Sequence, residues 1–429
     1  MSRAAVGSSP GLERAVSRWE IVGLALNDVV GSGVYLLPAA AALMLGAASL
    51  WAVVAAGAAV LLVVLCFAEA GSHFDGPGSA YLYARTAFGN FVGFEVGWMT
   101  WLARVASVAS LSAGFAQALT YLWPAAGAGG GRVLTIVVSL LALTLINVVG
   151  VRSGARTAVL LAVCKIVPLL VFVGVGVFIA SAARVLKTPA GNGNLGEAAL
   201  LLLYAYAGFE NTAAPAGEFK NPRRDVPFAL IAQIVIVTLL YTAVQWVALG
   251  TLPDLAHSQT PIADAARLFL GSWGGLLLTV GGALSILGTN SNTVLTGPRY
   301  LFALAEDGFG PRGLAAVHPR FHTPAVAILV QSAIALPLAL TGSFAGLAAL
   351  SVVARLASYL GTAAAVPVLR KKLGRDQQTL LLPGGPVIPI AAFLVCLAFV
   401  ASATITNLVA GALALLAGLP IYLLRRRKG

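Results

Sequence analysis

Long apolar stretches that hold few charged residues are the feature that most limits the fold of this chain. Stretches of about 20 residues, the length that a helix needs to span a bilayer, recur twelve times along the 429 residues. Because 59% of the residues are hydrophobic and only 10% are charged, a water-soluble fold has too little polar surface to cover them. We therefore predict an all-α membrane protein with twelve transmembrane helices, near residues 21–44, 47–69, 91–120, 133–149, 157–180, 198–217, 226–250, 275–297, 324–342, 345–369, 387–405 and 407–424.

The positive charge of the chain, a net +12, lies in short clusters between these stretches. When both termini are placed in the cytoplasm, twenty Lys and Arg residues fall in cytoplasmic segments, four in outer segments and three within spans. This asymmetry follows the positive-inside rule. We therefore expect a multi-pass protein of the inner (plasma) membrane with cytoplasmic termini and no nucleic-acid partner.

Two of the predicted spans are interrupted near their middle. In the first span, Gly31 and Gly33 flank Ser32, and glycine weakens a helix. In the sixth span, Tyr204-Ala205-Tyr206-Ala207-Gly208-Phe209-Glu210-Asn211 is followed by Pro215-Ala216-Gly217. A packing face of small residues explains either interruption alone. Two interruptions five spans apart, each beside a carboxylate, favour broken helices instead.

Broken spans at corresponding positions of two halves are typical of inverted-repeat transporters. We expect a single domain over residues 1–429 that begins with a cytoplasmic tail at 1–18. One repeat of five helices would cover residues 19–180, a second would cover 197–370, and two additional helices would lie at 387–424. Free N–H groups at a broken helix bind carboxylates and free carbonyls bind ammonium groups, so a zwitterionic amino acid suits both ends.

Four stretches resemble the amino acid–polyamine–organocation superfamily of amino acid permeases. They are Gly31-Ser32-Gly33-Val34-Tyr35-Leu36-Leu37-Pro38; Ala68-Glu69-Ala70-Gly71 with Tyr81 and Gly97-Trp98; Gly208-Phe209-Glu210 with residues 217–227; and Arg299-Tyr300 with Ala305-Glu306-Asp307-Gly308. The resemblance covers essentially the whole chain. It implies a leucine-transporter-type fold of five plus five inverted helices, and secondary active transport of amino acids by alternating access.

The same resemblance implies a substrate site at the two interruptions. The main-chain N–H groups of Gly31, Ser32 and Gly33 would bind the substrate carboxylate, and nearby carbonyls would bind its amino group. The complete set of predicted substrate-binding residues is Val29, Val30, Gly31, Ser32, Gly33, Tyr204, Ala207, Gly208 and Thr293.

The predicted side-chain pocket favours small or medium neutral amino acids. Thr293 stands where arginine/agmatine antiporters of the superfamily have an aromatic, cation-stacking residue, and Ala205, Ala207 and Thr296 are small residues expected near it. Asp28 stands where many family members have an uncharged residue. The negative charge of Asp28 therefore leaves open the alternative that the substrate is cationic.

Ionisable residues at membrane depth are functional candidates, because burying a charge there is costly. Lys165 resembles the span-five lysine that stands in for a sodium ion in proton-coupled permeases, so we predict that Lys165, Glu210 and Asp28 take part in proton coupling. Glu210 is equally well explained as a strut that binds broken-helix amides, and Asp28 as a partner of Lys165 or of a substrate amine. Arg104 and Arg355 are expected to pair with carboxylates or helix ends rather than with substrate.

The predicted function is proton-coupled symport of an amino acid, and the alternative is a proton-independent exchanger of amino acids or polyamines. An enzyme is disfavoured because the four histidines lie outside the spans. The three cysteines, Cys66, Cys164 and Cys396, lack metal-site spacing, so no metal or other cofactor is expected. The expected partners are the amino acid, protons and the lipid bilayer, and no obligatory protein partner is implied.

Overall fold

The computed structural model describes residues 17–74, 79–149, 155–189, 191–212, 220–321, 323–374 and 380–423. Helices and the turns between them make up these residues, and no strand occurs among them. The predicted tail up to residue 16, the Pro215-Ala216-Gly217 interruption and the basic C-terminal cluster 425–428 lie outside the described residues.

The described residues form fifteen α-helices. In chain order these are α1 Arg18–Val29, α2 Ser32–Leu45, α3 Ser49–Ser72, α4 Ala80–Phe88, α5 Asn90–Leu119, α6 Gly129–Val149, α7 Ala155–Ile179, α8 Ala182–Lys187, α9 Leu195–Tyr206, α10 Pro222–Thr251, α11 Pro261–Glu306, α12 Ala325–Thr341, α13 Phe344–Leu373, α14 Val387–Ala401 and α15 Ile405–Leu423.

Seven helical stretches of the described chain are long and apolar enough to cross a membrane. They are Ser32–Ser72, which joins α2 and α3, Asn90–Leu119, Gly129–Val149, Pro222–Thr251, Pro261–Glu306, Phe344–Leu373 and Ile405–Leu423. Shorter apolar helices occupy Cys164–Ile179, Ala325–Thr341 and Val387–Ala401. Each of these stretches overlaps a predicted span. The count of twelve spans and the inverted repeat stay predictions.

One helix runs further than the sequence predicted. The expected eighth span covered residues 275–297. In the structure it belongs to α11, which begins at Pro261 and is interrupted at Gly271, where φ is 69°. A positive φ is a conformation that glycine adopts readily, so Gly271 turns the first part of α11 away from the rest.

The centre of the bundle is formed by α5, which packs most extensively against α13 and α11, while α3 packs against α10 and α9. Long runs of α5 are buried, and its buried residues include polar ones such as Arg104, Ser107 and Ser110. Polar side chains inside an apolar bundle need partners or a polar cavity. Their position points to the contact between α5 and the two broken segments.

Candidate functional site

The first break separates α1 from α2. The Val30 N–H donates the last hydrogen bond of α1, to the Leu26 carbonyl at 2.9 Å, and Gly31 then turns the chain with φ −130° and ψ −144° before α2 begins. The first N–H groups of α2 therefore have no carbonyl of a preceding turn to bind. Gly33 lies so close to α9 that an added Cβ would stand 2.6 Å from the Cα atom of Ala205.

The second break follows α9. Ala207 is extended, Gly208 has φ 128°, and a 3₁₀ turn covers Phe209–Asn211. A Cβ on Gly208 would stand 2.6 Å from the main-chain oxygen of Asp28. The Tyr241 hydroxyl lies 3.2 Å from the Val29 carbonyl and 3.0 Å from the Ala205 carbonyl. The two breaks therefore lie against each other, next to a shared tyrosine.

A cavity opens between the two breaks and helices α5, α11 and α13. Its volume is about 440 Å³, counting the space that opens to solvent. Main-chain and polar side-chain groups share its walls with apolar ones. The lining residues are Asp28, Val29, Gly31, Ser32, Gly33, Arg104, Ser107, Leu111, Tyr204, Ala207, Gly208, Asn211, Thr289, Asn292, Thr293 and Arg355.

The cavity brings together most of the predicted substrate-binding residues. Those in its wall are Val29, Gly31, Ser32, Gly33, Tyr204, Ala207, Gly208 and Thr293. Val30 is not among the lining residues, and the hydroxyl of Ser285 donates to its carbonyl at 3.3 Å. Ala205 instead packs against Gly33, and the Thr296 hydroxyl donates to the Asn292 carbonyl at 2.8 Å. Both residues lie outside the lining.

Several lining residues were not in the predicted substrate site. They are Asp28, which was predicted to take part in proton coupling, and Arg104, Ser107, Leu111, Asn211, Thr289, Asn292 and Arg355. A signal for some of them exists in the sequence, because Thr289, Asn292 and Thr293 recur at a spacing of three and four residues, which places them on one face of a helix. Such a stripe is informative only once the neighbouring helix is known.

A buried ionic cluster closes one side of the cavity. Oε1 of Glu210 accepts hydrogen bonds from Nη1 of Arg355 and, at 3.4 Å, from Nη2 of Arg104. Its Oε2 accepts from the Gly208 N–H at 2.9 Å. Glu210 is therefore bound to the second break and to both arginines, as a strut would be, and it is not among the lining residues.

Lys165 on α7 joins the first break to α11. Its Nζ donates to the Asn27 carbonyl at 2.8 Å and lies 3.5 Å from the Thr289 hydroxyl oxygen. Asp28, which follows Asn27 in the chain, accepts a hydrogen bond from the Asn292 side-chain amide at 2.7 Å. In this structure the carboxylate of Asp28 has an amide partner, and the ammonium of Lys165 has a carbonyl partner.

These features define the class of protein. Free main-chain groups of two broken helices meet polar side chains in a cavity inside an apolar helical bundle, the arrangement with which membrane transporters bind small polar molecules. Among the residues described, no group of three or more His, Cys, Asp or Glu side chains is placed to hold a metal ion.

Comparison with known proteins agrees with this class. The family model described as amino acid permease matches residues 16–420, so the chain belongs to the amino acid permease family of the amino acid–polyamine–organocation superfamily. It is 30% identical to a serine/threonine exchanger of Bacillus subtilis (strain 168), over 97% of this chain and 98% of the exchanger. It is also 28% identical to a branched-chain amino acid permease of the same organism, over 99% and 96% of the two chains. A methylthioribose transporter, again from that organism, is 27% identical over 99% and 96%.

Proposed function

We propose that the protein is a secondary active transporter that carries small or medium neutral amino acids together with protons, by alternating access. Amino acid transport is supported by the family and by two relatives, named as an exchanger and a permease, that this chain matches over almost their whole length. The finer parts of the proposal, the kind of amino acid and the coupling ion, are argued from the cavity and from Lys165.

The choice of substrate follows from the cavity wall. The first turn of α2 offers main-chain donors to a carboxylate, and the carbonyls of Val29 and Ala207 are the acceptors for an amino group. On α11, Thr293 and Thr289 offer no aromatic ring for a guanidinium to stack on, and the aromatic residue among the lining residues is Tyr204 on α9. The Asn292 amide donates to Oδ1 of Asp28, which binds this carboxylate to α11 at the cavity wall.

The observation that carries the proton-coupling proposal is the contact of the Lys165 ammonium with the Asn27 carbonyl. Oxygens of α1 and α11 meet at this point, and freed carbonyls of broken helices are the groups that coordinate sodium in transporters of this kind. A lysine ammonium there repels a sodium ion and replaces its charge. Since a buried lysine is able to give up its proton, loss of that proton would release α1 and permit the change of access.

The proposed setting is the inner (plasma) membrane with both termini in the cytoplasm, because Lys and Arg residues are concentrated on that side of the predicted topology. The proposal includes twelve spans, of which the first ten form the inverted repeats. It requires no cofactor, no metal and no obligatory protein partner.

Uptake into proteoliposomes tests the proposal. Purified protein is reconstituted, and accumulation of labelled alanine, serine, leucine and arginine is measured under an imposed pH gradient or an imposed sodium gradient, with the membrane potential clamped. We expect accumulation of at least one of the three neutral amino acids that follows the pH gradient and not the sodium gradient. Accumulation driven by sodium alone would refute the coupling, and uptake of arginine without any neutral amino acid would refute the substrate class.

A second candidate function is amino acid exchange without protons. It is favoured by one observation, the similarity over almost the whole chain to a protein named as a serine/threonine exchanger. Preloaded vesicles separate the two candidates. An exchanger releases internal serine only when an external amino acid is supplied, whereas a proton symporter releases it into substrate-free buffer.

A further inference from the structure

The two arginines in the cavity wall differ in how completely their donors are used. Arg355 donates to Glu210 through Nη1, to the Ser107 hydroxyl through Nη2 at 2.7 Å and to the Ser351 hydroxyl through Nε at 3.2 Å. Arg104 donates to Glu210 and to the side-chain oxygen of Asn211, in both cases through Nη2. Arg104 thus binds its partners with one corner of the guanidinium only.

The remaining side of Arg104 includes a buried donor without a protein acceptor. The residue is 3% exposed and lines the cavity, and its Nε has no hydrogen-bond partner among the residues that the structure describes. A guanidinium has five N–H donors in a fixed plane, and leaving such a donor unpaired in a buried site costs free energy. An acceptor in the cavity would remove this cost.

The charge of the cluster points the same way. Two guanidinium groups, those of Arg104 and Arg355, share the single carboxylate of Glu210. The other carboxylate of the cavity wall, that of Asp28, accepts a hydrogen bond from the Asn292 amide instead. Because a buried positive charge is costly unless it is paired, the cluster is suited to a ligand group that is negative or partly negative. An aliphatic side chain at this place would leave the Arg104 donor unsatisfied and would add nothing to offset the charge.

The position of Arg104 decides which part of the substrate it contacts. The carboxylate and amino group of an amino acid are assigned to the broken ends, at Gly31 to Gly33 and at Ala207. Arg104 belongs to α5 and lines the wall together with Ser107, Leu111 and Asn211. Asn211 ends the 3₁₀ turn of the second break, whereas Ser107 and Leu111 lie one and two turns beyond Arg104 on α5. The α5 wall is therefore assigned to the substrate's side chain, because the main-chain groups of the breaks are assigned to its carboxylate and amino group.

We propose that Arg104 recognises an oxygen acceptor on the substrate's side chain, so that the preferred substrates carry a hydroxyl or an amide there. This inference rests on the proposed function, and within it selects polar over aliphatic amino acids of the same size. When the Arg104 side chain is removed, the Glu210 carboxylate keeps its ion pair with Arg355. The effect of Arg104 on substrate specificity is therefore separable from its effect on folding.

Calorimetry on the full-length protein in nanodiscs tests the inference with ligand pairs of matched shape. L-threonine is compared with L-valine, and L-asparagine with L-leucine. We expect wild type to bind the oxygen-bearing member of each pair about tenfold more tightly or better, which is the size of a hydrogen bond to a charged donor. Arg104→Met should bring both ratios close to one. Arg267→Gln, which removes the same charge at an exposed position, is the control and should keep the wild-type affinity ratios.

Each contrary outcome has its own meaning. Equal binding of threonine and valine by wild type would overturn the inference and leave the proposed function in place. An Arg104→Met variant that weakens all four ligands equally would overturn it too, because Arg104 would then bind the α-carboxylate that they share. Absence of binding by every amino acid would overturn both proposals. If Arg104→Met is unstable, the wild-type pair comparison and Arg104→Lys, expected to keep only part of the preference, still decide the question.

Discussion

The ammonium of Lys165 donates a hydrogen bond to the main-chain carbonyl of Asn27 at 2.8 Å. In an uninterrupted helix that carbonyl would accept from the N–H of residue 31, but α1 ends at Val29 and Gly31 turns the chain away. Lys165 therefore satisfies a carbonyl that the helix break leaves free. The break and the lysine are two parts of one arrangement, through which the proposed change in the charge of Lys165 would reach the substrate cavity.

The first prediction concerns this lysine. Lys165→Ala removes the only side-chain atoms that reach the Asn27 carbonyl from α7 in the described contacts. We expect loss of proton-driven accumulation, to the level of passive equilibration, while some binding remains possible. Uptake into proteoliposomes under an imposed pH gradient measures this. Lys187→Ala, at an exposed position, is the control, and wild-type accumulation by the Lys165→Ala variant would contradict the mechanism.

The second prediction compares two glycines of the first break. At Gly33 an added methyl group would stand 2.6 Å from the main chain of Ala205, which has no freedom to move aside. At Gly31 it would stand 3.3 Å from the Thr289 hydroxyl oxygen, a contact that a small side-chain adjustment relieves. Gly33→Ala should therefore weaken amino acid binding by roughly a hundredfold, the effect of a misplacement of about 1 Å, and Gly31→Ala should weaken it much less. A bulky Gly31→Leu change should abolish binding as well.

Calorimetry with the best ligand of a twenty-amino-acid thermal-shift screen separates the two variants. Both must elute as monodisperse proteins on size exclusion for the comparison to hold. Equal affinities in wild type and Gly33→Ala would show that the contact between α2 and α9 does not shape the site.

The third prediction concerns stability at the second break. Gly208 has φ 128°, and its Cα faces the main chain of Asp28. Gly208→Ala adds both backbone strain and a steric clash, so we expect a loss of about 1–3 kcal/mol in stability. Gly23→Ala is the matched control, because an added methyl there meets nothing within 4 Å, and alanine favours a helix by about 0.5–1 kcal/mol over glycine. Thermal unfolding in detergent should therefore move in opposite directions for the two variants.

The fourth prediction concerns the ionic cluster. Glu210→Gln leaves the guanidinium groups of Arg104 and Arg355 buried without a carboxylate, and breaking a buried pair costs about 3–5 kcal/mol. Adding Arg355→Met to Glu210→Gln removes one of the two charges and should restore part of the lost stability. Chemical unfolding of the single and double variants gives the comparison. A double variant less stable than Glu210→Gln alone would show that the cluster is not held together by charge.

The candidate site was predictable from the sequence where the main chain itself carries the chemistry. Gly31, Gly33 and Gly208 are visible as interruptions in apolar spans, and the cavity lies between them. Lys165 is visible as an ionisable residue at membrane depth, since a charge in an apolar run is rare and costly. Arg104 is visible in the same way, but we expected it to pair with a carboxylate or a helix end and not to line the cavity. Asn292 and Ser107 escaped prediction because neutral polar residues are common in helices and acquire a role only through what faces them.

The sequence by itself determined that this is an all-α, multi-pass membrane protein of the amino acid permease family with two interrupted helices. The apolar composition determines that these segments lie in lipid rather than in water, and the positions of the glycines determine where a helix is interrupted. Only the tertiary structure decided the partners of the buried charges: Glu210 with two arginines, Asp28 with Asn292, and Lys165 with the Asn27 carbonyl. These contacts join residues more than a hundred positions apart, so they depend on helix packing that no local pattern specifies.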